Sequence, residues 1–243
     1  MRRLNLRRLV AATTVLLMTT GTVSAQANRA EIERIVREYI LANPEIIMEA
    51  VEILRERQAK AEQDQARRAL AERRTEILND PNAPVAGNPQ GDVTLVEFFD
   101  YQCGYCKSVH PTVKDLVAGD GRIRRVYKEF PILGPASVVA SRAALAARNQ
   151  GKYLEMHDAL MEARGQMDEA LVMRIARSVG LDVERLKRDM QAPDIEQHIQ
   201  ANRALATALG IQGTPAFIIG DQLVPGAADL ATLRGLVRQA RGS

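Results

Sequence analysis

Cysteine occurs only twice in the 243 residues, at Cys103 and Cys106, with two residues between them. An apolar run at residues 93–99 comes just before the pair and predicts a strand, and the segment after it predicts a helix. Two thiols one helical turn apart can close a small disulfide ring, and the unpaired N–H groups of a helix N-terminus stabilise a thiolate at the first position. A cross-link that closes so short a loop stabilises a fold little, so the spacing favours thiol–disulfide exchange.

The two thiols have different predicted roles. Cys103, nearest the helix N-terminus and open to solvent, is expected to be the attacking thiol. Cys106, one turn inside the helix, is expected to be shielded and to act as the resolving thiol. A redox disulfide between Cys103 and Cys106 is predicted, and no cofactor is expected.

A metal site is the alternative use of two thiols. Tetrahedral zinc would need two more ligands, and the three histidines, His110, His157 and His198, are scattered along the chain. No metal site is therefore expected, and His110 is interpreted as a helix-surface or packing residue, not as a catalytic base. Copper(I) accepts thiolates and fewer ligands, so copper(I) binding stays open as an alternative.

The N-terminus predicts an export signal. Four arginines precede an apolar core at residues 9–18, and small residues precede a cut after Ala25, with Ala27 as a close alternative. The core is shorter than a membrane span requires. In a bacterium, a signal peptide at 1–25 would place the rest of the chain in the periplasm, where disulfide chemistry is expected.

The charge balance depends on this leader. The chain has 33 basic and 30 acidic residues, and four of the basic residues lie in 1–25. The rest of the chain is therefore almost neutral, which gives no case for nucleic acid binding.

Residues 26–80 predict a helical arm followed by a spacer. Apolar residues recur at helical spacing up to position 54, and the following stretch up to about residue 74 is mostly charged. The apolar face could pack back on the same chain. Self-association into a dimer or trimer through residues 28–78 is the preferred interpretation, because a polar spacer has little use in an arm that folds back.

The remaining pattern predicts an α/β domain over residues 85–243. A strand at 93–99 and a helix at 104–117 are followed by a second strand at 122–130 and by helices from 137 to 209. Gly220-Asp221 predicts a hairpin turn, and a last helix covers about 229–241.

Three motifs in this domain resemble the DsbA-like family of the thioredoxin superfamily: residues 96–107 with His110-Pro111, residues 127–131, and residues 213–217. The similarity covers roughly residues 85–242, and the arm resembles that of the oligomeric ScsC/Com1-like branch. The resemblance implies a thioredoxin fold with an inserted helical subdomain at about 135–210.

The resemblance also assigns roles around the cysteines. It implies that Gly104 and Tyr105 tune the redox pair; DsbA has Pro-His at this place, whereas the isomerase DsbC has Gly-Tyr, so a weaker oxidant is expected. It further implies that the Thr214–Pro215 bond is cis and faces the disulfide. The backbone of Thr214 would then be free to pair with an extended substrate chain.

An acidic residue of the first strand completes the candidate site. Glu97 is expected to be buried, and a buried carboxyl group could relay a proton to or from Cys106. The family has an acid at this position with a lysine nearby, for which Lys128 is the candidate. A purely structural Glu97–Lys128 ion pair is the competing interpretation.

The predicted function is that of an exported thiol:disulfide oxidoreductase, most simply an isomerase or reductase. Its expected partners are client proteins with non-native disulfides and a membrane redox partner of the DsbD/ScsB type. The alternatives are a monomeric DsbA-like oxidase, a copper(I)-binding resistance protein, and an interaction protein in which the fold is only a scaffold.

Overall fold

The computed structural model describes residues 28–242. The predicted signal peptide at 1–25 and both candidate cleavage positions lie outside these residues. Within 28–242, no helix combines the length and the apolar character needed to cross a membrane.

The described residues divide into two compact units, one up to residue 61 and the other from residue 62 onward. In the first unit, helix α1 covers residues 28–42, and helix α2, Glu45–Glu72, begins there and continues into the second unit. Asn43 separates the two helices: its backbone N–H and its side-chain amide both donate to the carbonyl oxygen of Tyr39, which ends α1.

The second unit contains a five-stranded sheet and eight further α-helices among the described residues. The helices are α3 Arg74–Leu78, α4 Gly104–Asp120, α5 Pro135–Ala147, α6 Tyr153–Glu162, α7 Glu169–Ser178, α8 Val183–Asp189, α9 Pro193–Ala208 and α10 Leu230–Ala240. The strands are β1 Val85–Gly87, β2 Val93–Phe99, β3 Ile123–Glu129, β4 Ala216–Ile219 and β5 Gln222–Pro225.

The sheet has the strand order β1-β3-β2-β4-β5. Its central strand β2 runs parallel to β3 and antiparallel to β4, and β4 and β5 form the hairpin that Gly220-Asp221 predicts. Strand β1, which pairs antiparallel with β3, is not among the strands that the sequence pattern predicts. It has three residues, which is too short for the alternation of side chains that identifies a strand.

Each face of the sheet is covered by helices. Helices α4 and α10 pack on one face through Val113 and Leu233, and Leu70, Ile77 and Leu205 cover the other. Residues 62–78, which the sequence pattern places in the arm and spacer, therefore include two residues of the core of the second unit.

Helices α5 to α9 form the inserted block between β3 and β4 and surround a third cluster of buried residues, which includes both cysteines. The α/β prediction of a thioredoxin fold with a helical insertion is confirmed. Helix α4 runs from Gly104 to Asp120 with Pro111 inside it and ends at Gly121, whose φ of 68° is the left-handed conformation that glycine accepts most easily.

Candidate active site

Cys103 is the N-cap residue of α4. Its Sγ accepts a hydrogen bond from the backbone N–H of Cys106 at 3.4 Å and donates to the carbonyl oxygen of Thr214 at 3.2 Å. Both cysteines are free thiols in this structure. The fold therefore places the Cys103 sulfur between the unpaired N–H groups of a helix N-terminus and the loop before β4.

The expectation that Cys103 is open to solvent needs correction. Only 6% of Cys103 is exposed and Cys106 is completely buried, because the Thr214 loop lies against the first sulfur. Cys106 is still the more buried of the two thiols. Burial raises the pKa of Cys106 far above that of an ordinary thiol, although hydrogen bonds from Asp100 and Thr214 lower it in part.

The peptide bond between Thr214 and Pro215 is cis, as the resemblance implies. Pro215 accepts a hydrogen bond at its carbonyl oxygen from the backbone N–H of Gly226, which connects this loop to the end of β5. The loop is thereby held in place beside Cys103 although 111 positions separate Cys103 from Thr214 in the sequence.

The two residues between the cysteines face solvent. Tyr105 is 73% exposed, and apart from its own helix no described residue comes within 4 Å of a Cβ atom added to Gly104. Two more large apolar residues, Ile132 and Leu133, are 39% and 50% exposed on the loop after β3. Gln102 ties this loop to the cysteine loop by donating to the carbonyl oxygen of Leu133 at 3.2 Å.

Asp100, which no sequence motif singles out, organises these loops. Its fully buried carboxylate accepts four hydrogen bonds of 2.7–2.9 Å, from three backbone N–H groups and one hydroxyl: those of Gln102, Ile132, Leu133 and Ser137. Buried polar groups are nearly always paired in this way. The only hint in the sequence is an acid directly after a strand that is otherwise apolar.

The predicted pair of Glu97 and Lys128 is wrong. Glu97 Oε2 accepts instead from Arg125 Nη2 at 2.6 Å, and both side chains are buried. Lys128 Nζ donates to Asp80 Oδ2 at 2.6 Å and to the carbonyl oxygen of Glu76 at 3.0 Å.

Strand geometry explains this correction. In the parallel β2–β3 register, Glu97 lies opposite Tyr127, so Lys128 points to the other face of the sheet. Arg125, two residues before Tyr127, shares a face with Glu97 and is the cation of this site. The side-chain period of two could have indicated Arg125 once the register was known.

Two of the three histidines lie close together in the fold. His110 on α4 and His157 on α6 have ring centroids 5.3 Å apart, and His110 Nε2 lies 3.2 Å from Asp158 Oδ1. Burial lowers the pKa of His157 far below its usual range. Burial opposes ionisation of Asp158, yet hydrogen bonds from His110 and Lys114 bring the pKa of this carboxyl group below its ordinary value.

His198 lies elsewhere in the second unit, between two acids. Its ring nitrogens are 3.8 Å from carboxylate oxygens of Asp80 and Glu129, and burial lowers the pKa of His198 to about 4. Burial raises the pKa of Glu129 to about 7, and the hydroxyl of Tyr153 donates to this carboxylate.

Comparisons with known proteins agree with this geometry. Residues 94–238 match the model of the DSBA-like thioredoxin domain, and residues 28–61 match that of the copper resistance protein ScsC N-terminal domain. The solved structure of a thioredoxin-like oxidoreductase from Silicibacter pomeroyi is 54% identical, covers 70% of this chain and 98% of that chain, and has a TM-score of 0.69.

A second solved structure also covers the arm. Proteus mirabilis ScsC, in a transitional conformation, is 32% identical over 89% of this chain and 98% of its own, with a TM-score of 0.67.

The curated relatives that match include much longer proteins. The Na(+)/H(+) antiporter NhaA 1 of Salinispora arenicola is 30% identical over 158 residues, and the match spans 64% of this chain and 24% of that protein. The chain thus spans about a quarter of that antiporter's length. With a family model that covers residues 94–238 and a cysteine pair placed at the start of α4, this chain belongs to the family of DSBA-like thioredoxin-domain proteins.

Proposed function

We propose that this protein is an exported, periplasmic thiol:disulfide oxidoreductase that works as an isomerase or reductase on protein disulfides. The observation that carries the proposal is the position of Cys103, whose sulfur caps α4 and contacts the Thr214 carbonyl beside the cis bond. Two features of the sequence also support this proposal: the leader at 1–25 and the Gly-Tyr pair between the cysteines.

The first step is attack by the Cys103 thiolate on one sulfur of a client disulfide. A bond forms between Cys103 and that sulfur, the client S–S bond breaks, and the other client sulfur leaves as a thiolate. In reduction, Cys106 then attacks Cys103, which releases the client as a dithiol and leaves a Cys103–Cys106 disulfide. In isomerisation, a different client thiolate attacks the mixed disulfide instead and regenerates Cys103.

Cys106 must lose its proton before it can attack, although burial strongly favours the neutral thiol. Glu97 is proposed as the group that relays this proton. One of its oxygens is held by Arg125, and the other, Oε1, is buried without a hydrogen-bond partner among the residues that the structure describes. Lys128 is withdrawn from this role, since Asp80 and Glu76 hold it on the opposite face of the sheet.

Client binding is assigned to the Thr214–Pro215 loop and to Tyr105. An extended client segment can pair with the backbone of Thr214 by strand addition. Tyr105 and the exposed Ile132 and Leu133 offer apolar surface on the loops around the cysteines, which suits unfolded chains that expose apolar side chains.

The first unit is proposed to join copies of this chain into a dimer or trimer. Nine large apolar side chains between residues 32 and 54 are 49–69% exposed. Apolar surface on this scale is rarely left uncovered. Several active sites in one assembly could then act on a single misfolded client.

Reduction leaves the cysteine pair as a disulfide that must be returned to the dithiol form, and isomerisation requires the pair to be kept in that form. A membrane redox partner of the DsbD/ScsB type is therefore proposed as the electron source, with client proteins that carry non-native disulfides as substrates.

The test compares the mature chain with a form that lacks residues 28–61 in refolding of a scrambled-disulfide protein. This cut leaves Leu70 and Ile77 in the core of the second unit. We expect isomerase activity to fall at least several-fold in the shortened form while simple dithiol oxidation continues. Equal isomerase activity would contradict the oligomeric isomerase, and Cys103→Ser should abolish both reactions.

A second candidate, copper(I) binding, is favoured by the match of residues 28–61 to a copper resistance protein domain and by two adjacent free thiols. Thiolates are the ligands that copper(I) prefers. Tight copper(I) uptake that is lost in both Cys103→Ser and Cys106→Ser would support it.

A further inference from the structure

We propose that His110, His157 and Asp158 form a binding site for a divalent transition-metal ion of the zinc class, separate from the cysteine pair. One ligand atom from each residue lies within 4.8 Å of the other two. Within the cluster, His110 Nε2 and Asp158 Oδ1 are 3.2 Å apart. It joins α4, which carries His110, to α6, which carries the other two residues.

His157 is the residue that points most clearly to a ligand. It is fully buried, and its Nδ1 lies 3.0 Å from the hydroxyl of Tyr101, whereas its Nε2 has no hydrogen-bond partner within residues 28–242. When Nδ1–H donates to the Tyr101 oxygen, Nε2 carries a free lone pair. Metal-binding histidines are commonly oriented in this way, by a hydrogen bond from the nitrogen that does not bind the metal.

The donor set selects the metal. Two imidazole nitrogens and one carboxylate oxygen suit Zn²⁺, which binds such atoms at about 2.0–2.2 Å in a tetrahedral arrangement. In that geometry ligand atoms are about 3.3 Å apart, which the 3.2 Å between His110 Nε2 and Asp158 Oδ1 matches once His110 carries its proton on Nδ1 and the ion lies between the two atoms. The His157 ligand atom lies within 4.8 Å of both and must move closer to them. Copper(I) prefers sulfur, which distinguishes this site from the thiol pair.

The fourth position can be reached from solvent. Asp158 and Lys114 line a cleft of about 610 Å³ on the side of α4 and α6 that faces β1. Asp158 retains 33% side-chain exposure, in contrast to the buried rings of His110 and His157. An ion could thus enter beside Asp158 and keep a water molecule as its fourth ligand.

Two cations near the cluster determine how tightly an ion is held. Arg125 is paired with Glu97, so its charge is largely compensated. Lys114 Nζ lies 2.7 Å from Asp158 Oδ2 and competes directly with a metal ion for this carboxylate. Removal of the Lys114 charge should therefore strengthen metal binding. If the cluster were only an ion pair between helices, the same change would weaken the contact between α4 and α6 and would give no gain in metal affinity.

The experiment uses the mature chain with Cys103→Ser and Cys106→Ser, which removes the thiols as ligands. Zn²⁺ is titrated by calorimetry, and Co²⁺ is added to record its visible absorption bands, which report tetrahedral coordination. We expect one ion per chain. His157→Gln and Asp158→Asn should each weaken binding at least tenfold, and Tyr101→Phe should weaken it roughly tenfold to 100-fold.

Lys114→Met should tighten Zn²⁺ binding in the same titration. The matched control is Asp115→Asn, which removes a carboxylate from the same helix and the same cleft but outside the cluster, and it should leave the affinity unchanged. Circular dichroism checks that each variant is folded. If His157→Gln fails to fold, the half-buried Asp158→Asn decides the question.

Two results would overturn the proposal. One is the absence of stoichiometric Zn²⁺ binding in the cysteine-free chain. The other is a Zn²⁺ affinity that is the same in the Asp158→Asn variant as in the Asp115→Asn control, because the ion would then occupy another place.

Discussion

At the scale of single residues, the site is built from buried polar groups that each have a defined partner. Asp100 gathers the cysteine loop and the loop after β3, and Arg125 holds one oxygen of Glu97. Glu129 accepts a hydrogen bond from the hydroxyl of Tyr153 in the core. Because unpaired buried polar groups are costly, changes at these positions should affect stability before they affect chemistry.

Asp100→Asn is expected to destabilise the fold by about 2–4 kcal/mol. The amide nitrogen would face donors where the carboxylate now accepts, and each donor left unpaired costs roughly 1–3 kcal/mol. Urea unfolding measures the change. The control is Asp221→Asn, which breaks only an exposed ion pair with Arg74 and should shift stability by less than about 1 kcal/mol. A similar small loss in both variants would contradict the role given to Asp100.

Glu129 should make stability depend on pH. Burial raises its pKa from 4.5 to about 7, so the folded protein holds this proton more tightly than the unfolded chain does. The resulting stability is complete below about pH 4.5 and is lost as the pH rises through 7.

The matched variant Glu129→Gln cannot titrate but keeps an oxygen to accept from Tyr153. The wild type should therefore lose stability relative to Glu129→Gln between pH 4.5 and 7, by on the order of 3 kcal/mol. Urea unfolding of both proteins at several pH values measures this difference. A difference that stays constant with pH would show that Glu129 does not titrate in this window.

At the scale of secondary-structure elements, α4 connects the cysteine pair to the inserted helices. Lys107, one position after Cys106, donates from Nζ to the carbonyl oxygens of Leu160 and Ala163 at the C-terminus of α6. A cation at this end of a helix satisfies unpaired carbonyl groups and interacts favourably with the helix dipole. The active-site helix and the insertion are therefore held together close to the redox pair.

Lys107→Met should release the C-terminal turn of α6. The lost charged hydrogen bonds predict a destabilisation of about 1–3 kcal/mol and faster hydrogen exchange at the end of α6. Lys187→Met is the control, since Lys187 makes only an exposed pair with Glu184, which should contribute less than about 1 kcal/mol. Unchanged hydrogen exchange in α6 after Lys107→Met would show that the Lys107 hydrogen bonds do not stabilise the end of this helix.

At the scale of the whole molecule, the two units have different surfaces. The second unit buries its large apolar residues in three clusters. The first unit leaves apolar residues of α1 and of the start of α2 half exposed, for example Ile35 at 52% and Tyr39 at 60%. A unit with this surface needs a partner, which the proposed self-association supplies.

Ile35→Asp should reduce the mature protein to monomers, because a charge in the centre of an apolar interface is costly to desolvate. Size-exclusion chromatography with light scattering measures the mass. Arg37→Asp, which also adds an acid to the exposed surface of α1, should leave the oligomer intact. A wild-type mass equal to one chain would refute the proposed assembly.

Local features of the sequence were enough to predict much of the fold. The cysteine spacing indicated the redox pair, the Gly220-Asp221 turn indicated the hairpin, and helical periodicity indicated the apolar arm. Each of these signals depends on residues a few positions apart, where backbone geometry alone decides which side chains are neighbours. The cis bond at Pro215 was predicted only through the family resemblance.

Contacts between distant segments were decided by the tertiary structure. The family resemblance suggested Lys128 as the partner of Glu97, but the β2–β3 register selected Arg125, because one step along a strand moves a side chain to the opposite face. His110 and His157 are also scattered along the sequence, although the packing of α6 against α4 brings them together. The sequence alone thus determined most of the elements and the position of the cysteine pair, whereas strand register and helix packing determined their partners, since both depend on how the whole core closes.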